Sequence, residues 1–184
     1  MMSRPEPDGL EVVRDFINTY DVEEDDEALT DLDAVRAWFR AQGLGGVPDG
    51  GSRDADPGVV SEVRAVREAF RRLLDRDHGG AEDTAAFGVL TGAAERTGLV
   101  VRFEPTRPDL VPTADGVRGA LGVLLAWAFD AMRDGSWERL KLCERHTCRW
   151  AFYDRSRNRS GKWCSMEVCG NRTKVEAYRE RHAS

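Results

Sequence analysis

Apolar residues along this chain recur mostly on the helical period. Leu10, Val13, Phe16, Ile17 and Tyr20 fall at i, i+3, i+6, i+7 and i+10, which predicts an amphipathic first helix. The acidic run Asp21–Glu27 reads as a solvated loop. Leu32, Val35 and Phe39, with Trp38 beside them, predict a second helix from about Thr30 to Gln42, stopped by Gly43. Residues 43–58 hold six glycines, two prolines and three aspartates and read as a mobile loop. Asp56-Pro57 restarts the helix, because Asp caps free amides and Pro at the first position loses no hydrogen bond. Val59, Val63, Val66, Phe70 and Leu73 then line one face through about Arg76. The opposite face carries Arg64, Arg67, Arg71 and Arg72 near Glu62, Glu68 and Asp75, and reads as solvated and salt-bridged.

His78 sits in a glycine turn and reads as an exposed loop residue. A fourth helix runs from about Glu82 to Arg96 and ends at Gly98. Leu99–Phe103 and Asp109–Thr113 are β-prone runs split by Pro105 and Pro108, which suits a small hairpin. A long helix from about Asp115 to Met132, closed by Gly135, is apolar on nearly all sides and is predicted to be central. Beyond it the period changes. Leu140-Lys141-Leu142 reads as a strand, and Arg149 to Asp154 alternates with period two, Trp150 and Phe152 on one face and Ala151 and Tyr153 on the other. The turn Ser156–Gly161 sends the chain back through Lys162-Trp163. Ser165 is placed to cap a last helix starting near Met166, with Val168, Val175 and Tyr178 as a modest apolar stripe.

These elements predict an α+β protein in two parts. Residues 1–138 form a helix-rich domain with a small β-hairpin, and residues 139–184 a treble-clef-like β-hairpin and helix. At 184 residues and 41% hydrophobic content the chain can bury a real core. No apolar run reaches the roughly 18–20 residues that span a bilayer, so no membrane partner is expected. The polar N-terminus lacks the apolar segment of a signal peptide, which gives a cytoplasmic expectation.

Charge changes the picture. Residues 1–140 carry 16 Lys+Arg against 28 Asp+Glu, whereas residues 141–184 carry 11 against 5. An acidic body with a basic tail points to an anionic partner, nucleic acid first.

All four cysteines lie in that tail, as Cys143/Cys148 and Cys164/Cys169, two C-x₄-C pairs fifteen residues apart. Paired thiolates repeated at short spacing are what a tetrahedral structural zinc requires. Glu144–Thr147 then form the first knuckle turn. Four sulfurs leave no open position for a catalytic water, so one structural Zn²⁺ is expected and His146 reads as an exposed turn residue. No nucleophile, phosphate loop or carboxylate pair appears elsewhere, and the chain reads as a non-enzyme. Trp150, Trp163 and Tyr153 are of a kind that stacks on bases, but a small finger also needs core, and Trp163 and Phe152 are assigned there.

Cys164-Ser165-Met166-Glu167-Val168-Cys169-Gly170-Asn171-Arg172, with Trp150-Ala151-Phe152-Tyr153-Asp154-Arg155-Ser156-Arg157-Asn158-Arg159 before it, resembles the signature of the CGNR zinc finger family. Asp15-Phe16-Ile17-Asn18-Thr19 is similar to the opening helix of the ABATE domain, which precedes that finger and is described as a putative stress-induced transcription regulator. The resemblance implies a DNA-binding regulator of a stress or metabolic response. Arg155, Arg157, Arg159 and Lys162 around the turn, and Arg172, Lys174, Arg179 and Arg181 on the last helix, are the candidate contacts to double-stranded DNA. Gly170 and Asn171 are assigned to support of the ligands, Gly by close packing and Asn by bonding backbone near the sulfurs. The N-terminal domain is expected to sense a signal such as a small-molecule effector, to form a homodimer, or both. Two other readings stay open. In one the basic surface docks an acidic protein surface, a partner's or that of the chain's own N-terminal domain. In the other the nucleic acid is RNA.

Overall fold

The computed structural model describes residues 8–44, 57–75, 83–105 and 108–182. Most of the loop at 43–58, the Asp56 cap, His78 and the start predicted at Glu82 lie outside these residues. The described elements are helices α1 (Asp8–Ile17), α2 (Leu32–Ala41), α3 (Val59–Leu74), α4 (Thr84–Thr97), α5 (Gly116–Asp134) and α6 (Asn171–His182). Between them lie strands β1 (Tyr20–Asp21), β2 (Asp26–Glu27), β3 (Val100–Phe103), β4 (Pro108–Val111), β5 (Leu140–Leu142) and β6 (Ala151–Tyr153). The strands form three separate antiparallel pairs, β1–β2, β3–β4 and β5–β6. The α+β class expected from the pattern is what the chain adopts.

Local chemistry sets the helix ends. Asp31 accepts from the Ala34 amide at 2.9 Å and Asp83 from the Ala86 amide at 2.9 Å, each satisfying a free N–H of the first turn. Gly98 and Gly135 end α4 and α5 with φ of 64° and 79°, left-handed values that favour glycine. Helix α3 begins at Val59, directly after Gly58.

Helix α5 lies at the centre and packs against α1, α2, α3 and α4. Leu10, Val13, Phe16, Val35, Phe39, Val63, Phe70, Leu121 and Leu124 form one buried cluster. It does not stop at the end of α5. Trp137, Leu140, Leu142, Ala151 and Tyr153 belong to the same cluster, with Phe70 and Trp137 ring centroids 5.7 Å apart. The inner face of the β5–β6 pair thus completes the helical core. Tyr153, offered above as a stacking residue, is 7% exposed and is a core residue instead.

Two further expectations are corrected. Arg67 and Arg71 are not solvated. They are 3% and 6% exposed, because the β1–β2 hairpin covers the side of α3 that carries them. Arg67 makes a bidentate pair with Glu27 at 2.6 and 2.7 Å and bonds Glu68 at 2.8 Å. Arg71 donates to the carbonyls of Ile17 at 2.5 Å and Tyr20 at 3.1 Å. The acidic run Asp21–Glu27 is therefore a short hairpin, in which Glu27 pairs with Arg67 and Asp25 accepts from the Tyr20 hydroxyl at 2.7 Å.

Candidate metal centre and basic surface

The first cysteine pair hangs from the β5–β6 pair. Leu140, Lys141 and Leu142 align with Tyr153, Phe152 and Ala151, so Cys143 and Cys148 flank the connecting turn. The sequence places a strand at 149–154 and a return through Lys162-Trp163 without assigning that strand a partner. The ladder closes around the knuckle, and the return is held by the Glu144 amide donating to the Lys162 carbonyl at 2.8 Å. The Cys148 amide donates to the Arg145 carbonyl at 2.9 Å, which makes the turn. The second pair comes from the segment before α6. Ser165 accepts from the Val168 amide at 3.3 Å, as the sequence predicts, and a single wide turn, Met166–Gly170, carries Cys169 inward.

The four sulfurs lie within 4.8 Å of one another. Cys148–Cys164 and Cys164–Cys169 are 3.8 and 3.7 Å apart. A tetrahedron with zinc–sulfur bonds of ~2.3 Å has edges of about 3.8 Å, so the set fits one zinc ion, whereas a disulfide requires about 2.05 Å. Cys143, Cys148 and Cys169 are buried and Cys164 half-buried. Burial pushes the Cys148 thiol up to about 12, and burial with the neighbouring Cys143 raises Cys164 as well. Four sulfurs so crowded do not share negative charge without a cation among them. The donors, spacing and charge requirement fit a structural site. Trp163 packs on the cysteines, in keeping with its assignment to core, and His146 is exposed.

The residues assigned to ligand support behave differently. Asn171 donates to the Glu167 carbonyl at 3.0 Å, within the second cysteine loop. A Cβ on Gly170 would meet the sulfur of Met166, an exposed and flexible side chain, and the Trp163 ring at 3.4 Å. That crowding is cheaply relieved, so close packing demands glycine there only weakly.

The turn after β6 is held by a residue that sequence reasoning passed over. Asp154 is 3% exposed. Its carboxylate accepts from Lys141 Nζ at 2.8 Å and from the Ser156 and Gly161 amides at 2.9 and 2.8 Å. A Cβ on Gly161 would lie 2.8 Å from the Asp154 carboxyl carbon, so only glycine lets the chain return this closely. Burial raises the Asp154 pKa, but these three donors outweigh it and hold the carboxyl well below the usual carboxylate range. A depressed folded value stabilises the fold above the unfolded value of about 3.9 and is lost as pH falls through the folded one. The Asp-x-Ser spacing of an Asx turn was the available signal.

Of the eight predicted anion contacts, seven have described side chains, and all seven are exposed. Arg159 pairs with Glu138, Lys162 with Glu144 at 3.1 Å, and Arg172 with Glu23 at 3.2 Å. Arg157, Lys174 and Arg179 have no ion-pair partner among the described residues. Arg181 lies in the last turn of α6 with its side chain outside the described set. The predicted apolar stripe faces solvent, with Val168 in the turn before α6 and Val175 and Tyr178 on α6 at 47%, 48% and 57% exposure. Thr173 Oγ1 anchors the first turn by donating to the Cys169 carbonyl at 2.9 Å, and Lys174, Val175, Glu176, Tyr178 and Arg179 beyond it are exposed.

Beside the shared hydrophobic core, the two parts also meet in a polar seam. Asn18, at the end of α1, accepts from the Ala151 amide at 2.7 Å and donates to the Ala151 carbonyl at 2.9 Å, acting as a strand partner for β6. Arg71 donates to the Arg149 carbonyl at 3.3 Å, and Arg149 pairs with Asp75. Asn18→Ala strands two backbone groups of a fully buried residue, each costing about 1–3 kcal/mol, so we expect a loss of about 2 kcal/mol or more in urea unfolding. An unchanged midpoint would show that water replaces the amide. A polar cavity of about 150 Å³ opens in the same seam, lined by Asp75, Glu138, Lys141, Glu144 and Arg149 among others.

Among the described residues no helix is long and apolar enough to cross a membrane. None of the curated proteins matches the chain. Residues 139–182 match the family described as CGNR zinc finger. Residues 10–135 match ABATE, described as "Putative stress-induced transcription regulator". The chain therefore belongs to the ABATE family and carries a CGNR zinc finger behind that domain.

Proposed function

We propose that the protein is a DNA-binding transcription regulator, working in the cytoplasm in a stress or metabolic response. In this reading residues 139–184 are the DNA-binding module and residues 1–138 the regulatory domain. One observation carries it: Arg157, Lys174 and Arg179 are exposed, lack ion-pair partners among the described residues, and stand on a turn and a helix that the four sulfurs and Asp154 hold in place. A scaffold of this kind presents cations to phosphates without ordering them at each encounter. The exposed apolar and basic mixture along α6 and the turn before it suits a groove, where Val168 and Val175 can meet base methyl groups. The regulatory domain receives a signal, self-associates, or both, and the seam cavity is a place for a small effector between the two parts.

The test is a fluorescence titration of labelled mixed-sequence duplex DNA at several salt concentrations. Three phosphate contacts predict a slope near −2.7, a loss of roughly 40-fold in affinity between 50 and 200 mM salt. Replacing Arg157, Lys174 and Arg179 together by Ala should flatten that slope. Salt-independent binding, or none, refutes the proposal, and tighter competition by RNA would move it to that nucleic acid.

A further inference from the structure

Among the described residues, Glu23 is the one carboxylate paired both with the first cysteine loop and with the helix that follows the second. It sits in the tight turn between β1 and β2, where its own amide donates to Asp21 Oδ1 at 2.9 Å. Its Oε1 accepts from Arg145 Nη1 at 2.6 Å and from Arg172 Nη1 at 3.2 Å. Arg145 belongs to the first knuckle, between Cys143 and Cys148. Arg172 opens α6, three residues after Cys169. Zinc ligation thus fixes both backbones, and the two guanidiniums converge on a single oxygen from a different part of the chain.

That geometry is the one a phosphoryl oxygen takes between two arginines. The Arg145 side chain is only 11% exposed, under Glu23, and Glu23 is its ion-pair partner among the described residues. Arg172, at 55%, is open to solvent on its other side. Arg145 was absent from the predicted anion contacts, which were drawn from the turn at 155–162 and from the last helix. The geometry points to Arg145 and Arg172 as a phosphate clamp whose resident occupant is the Glu23 carboxylate. The acidic turn of the ABATE domain then competes with a phosphodiester for the finger. An ion pair this close to solvent is weak and screened by salt, so a polyanion that brings many phosphates displaces it. Binding swings the β1–β2 turn away and exposes Arg145. The inference rests on the nucleic-acid reading of the finger for its ligand, and its own content is the competition.

The experiment uses the full zinc-loaded chain with two probes, mixed-sequence duplex DNA and inorganic polyphosphate. Glu23→Gln should bind both about 5-fold more tightly than the parent, the weight of one exposed ion pair. Glu24→Gln changes net charge equally but removes no contact to the finger, and should gain much less. Arg145→Gln should weaken binding and erase the gain of Glu23→Gln. If Arg145→Gln fails to hold zinc, the more exposed Arg172→Gln takes its place. A gain with polyphosphate alone supports the clamp and removes duplex DNA as its ligand. A gain no larger than that of Glu24→Gln on both probes overturns the clamp, whatever affinity the parent has for DNA. Glu23 would then be only a tie between the two parts, and its replacement would lower the melting temperature with no gain in binding.

Discussion

Replacing Cys169 by Ala, or stripping the metal with a chelator, is expected to unfold residues 139–182 and to loosen the helical core with them. The finger has little of its own to fall back on. Its metal-side cluster consists of three buried cysteines with Trp163 and Cys164 against them. Structural zinc supplies an apparent ~10–16 kcal/mol in finger peptides, which matches or exceeds the ~5–15 kcal/mol that holds a whole domain. Removing it leaves no partly folded finger. Because Leu140, Leu142, Ala151 and Tyr153 fill the core shared with α1, α3 and α5, the loss propagates inward. Metal analysis should find one zinc per chain in the parent and none in Cys169→Ala. Hydrogen exchange should show lost protection in β5 and β6 and also near Phe70 and Ile17. A metal-free chain with an unchanged melting curve would sink the structural assignment.

Glu27→Ala is expected to destabilise by about 3 kcal/mol, a fall of roughly 6–12 °C in melting temperature. The Arg67 side chain is 4% exposed, and removing Glu27 leaves its guanidinium with Glu68, the Thr19 hydroxyl and the face of the Tyr20 ring. Arg67→Met should cost less, since it removes the buried charge together with the need to compensate it. The pH dependence follows with a definite sign. Burial raises the Glu27 carboxyl, but the Arg67 bond, the Leu29 amide and the Arg67 and Arg64 charges outweigh it and lower the pKa. Glu27 thus contributes stability that is present above its unfolded value of about 4.3 and disappears as pH falls through the lower folded value. In Glu27→Ala that part of the acid dependence should vanish. Equal losses for Glu27→Ala and Arg67→Met would mean that packing, not charge, dominates the site.

Much of this was legible because it is local. The helical periods, the Ser165 cap, and the glycine stops at Gly98 and Gly135 depend on neighbours within a few residues, and each is where the pattern puts it. The sulfur set is local in the same sense, two short loops with fixed spacing. What the pattern could not give is pairing between distant segments. Arg67 and Arg71 follow Val63 at i+4 and i+8, on the border of the apolar face, and only the β1–β2 hairpin arriving from elsewhere decides that they are covered. Asn18 stood out as part of Asp15-Phe16-Ile17-Asn18-Thr19, yet its role as a strand partner for Ala151 requires the finger to be in place. The alternation at 149–154 was readable, but nothing in it says that Leu140–Leu142 lies alongside. The apolar stripe of Val168, Val175 and Tyr178 was visible too, but not that it faces solvent.

The shared core has a consequence for how such chains can be recombined. A cut between residues 138 and 139 looks clean on paper, since two family signatures meet there. Physically it divides a hydrophobic interior. The helical piece would be left with Phe70 and Ile17 facing water, and the finger with Leu140, Leu142 and Tyr153 bare. A finger moved to another body would carry its zinc loops intact and arrive without a floor. Portability in this protein therefore belongs to the pair, and any exchange between relatives has to move α1, α3 and the β5–β6 ladder as one inheritance.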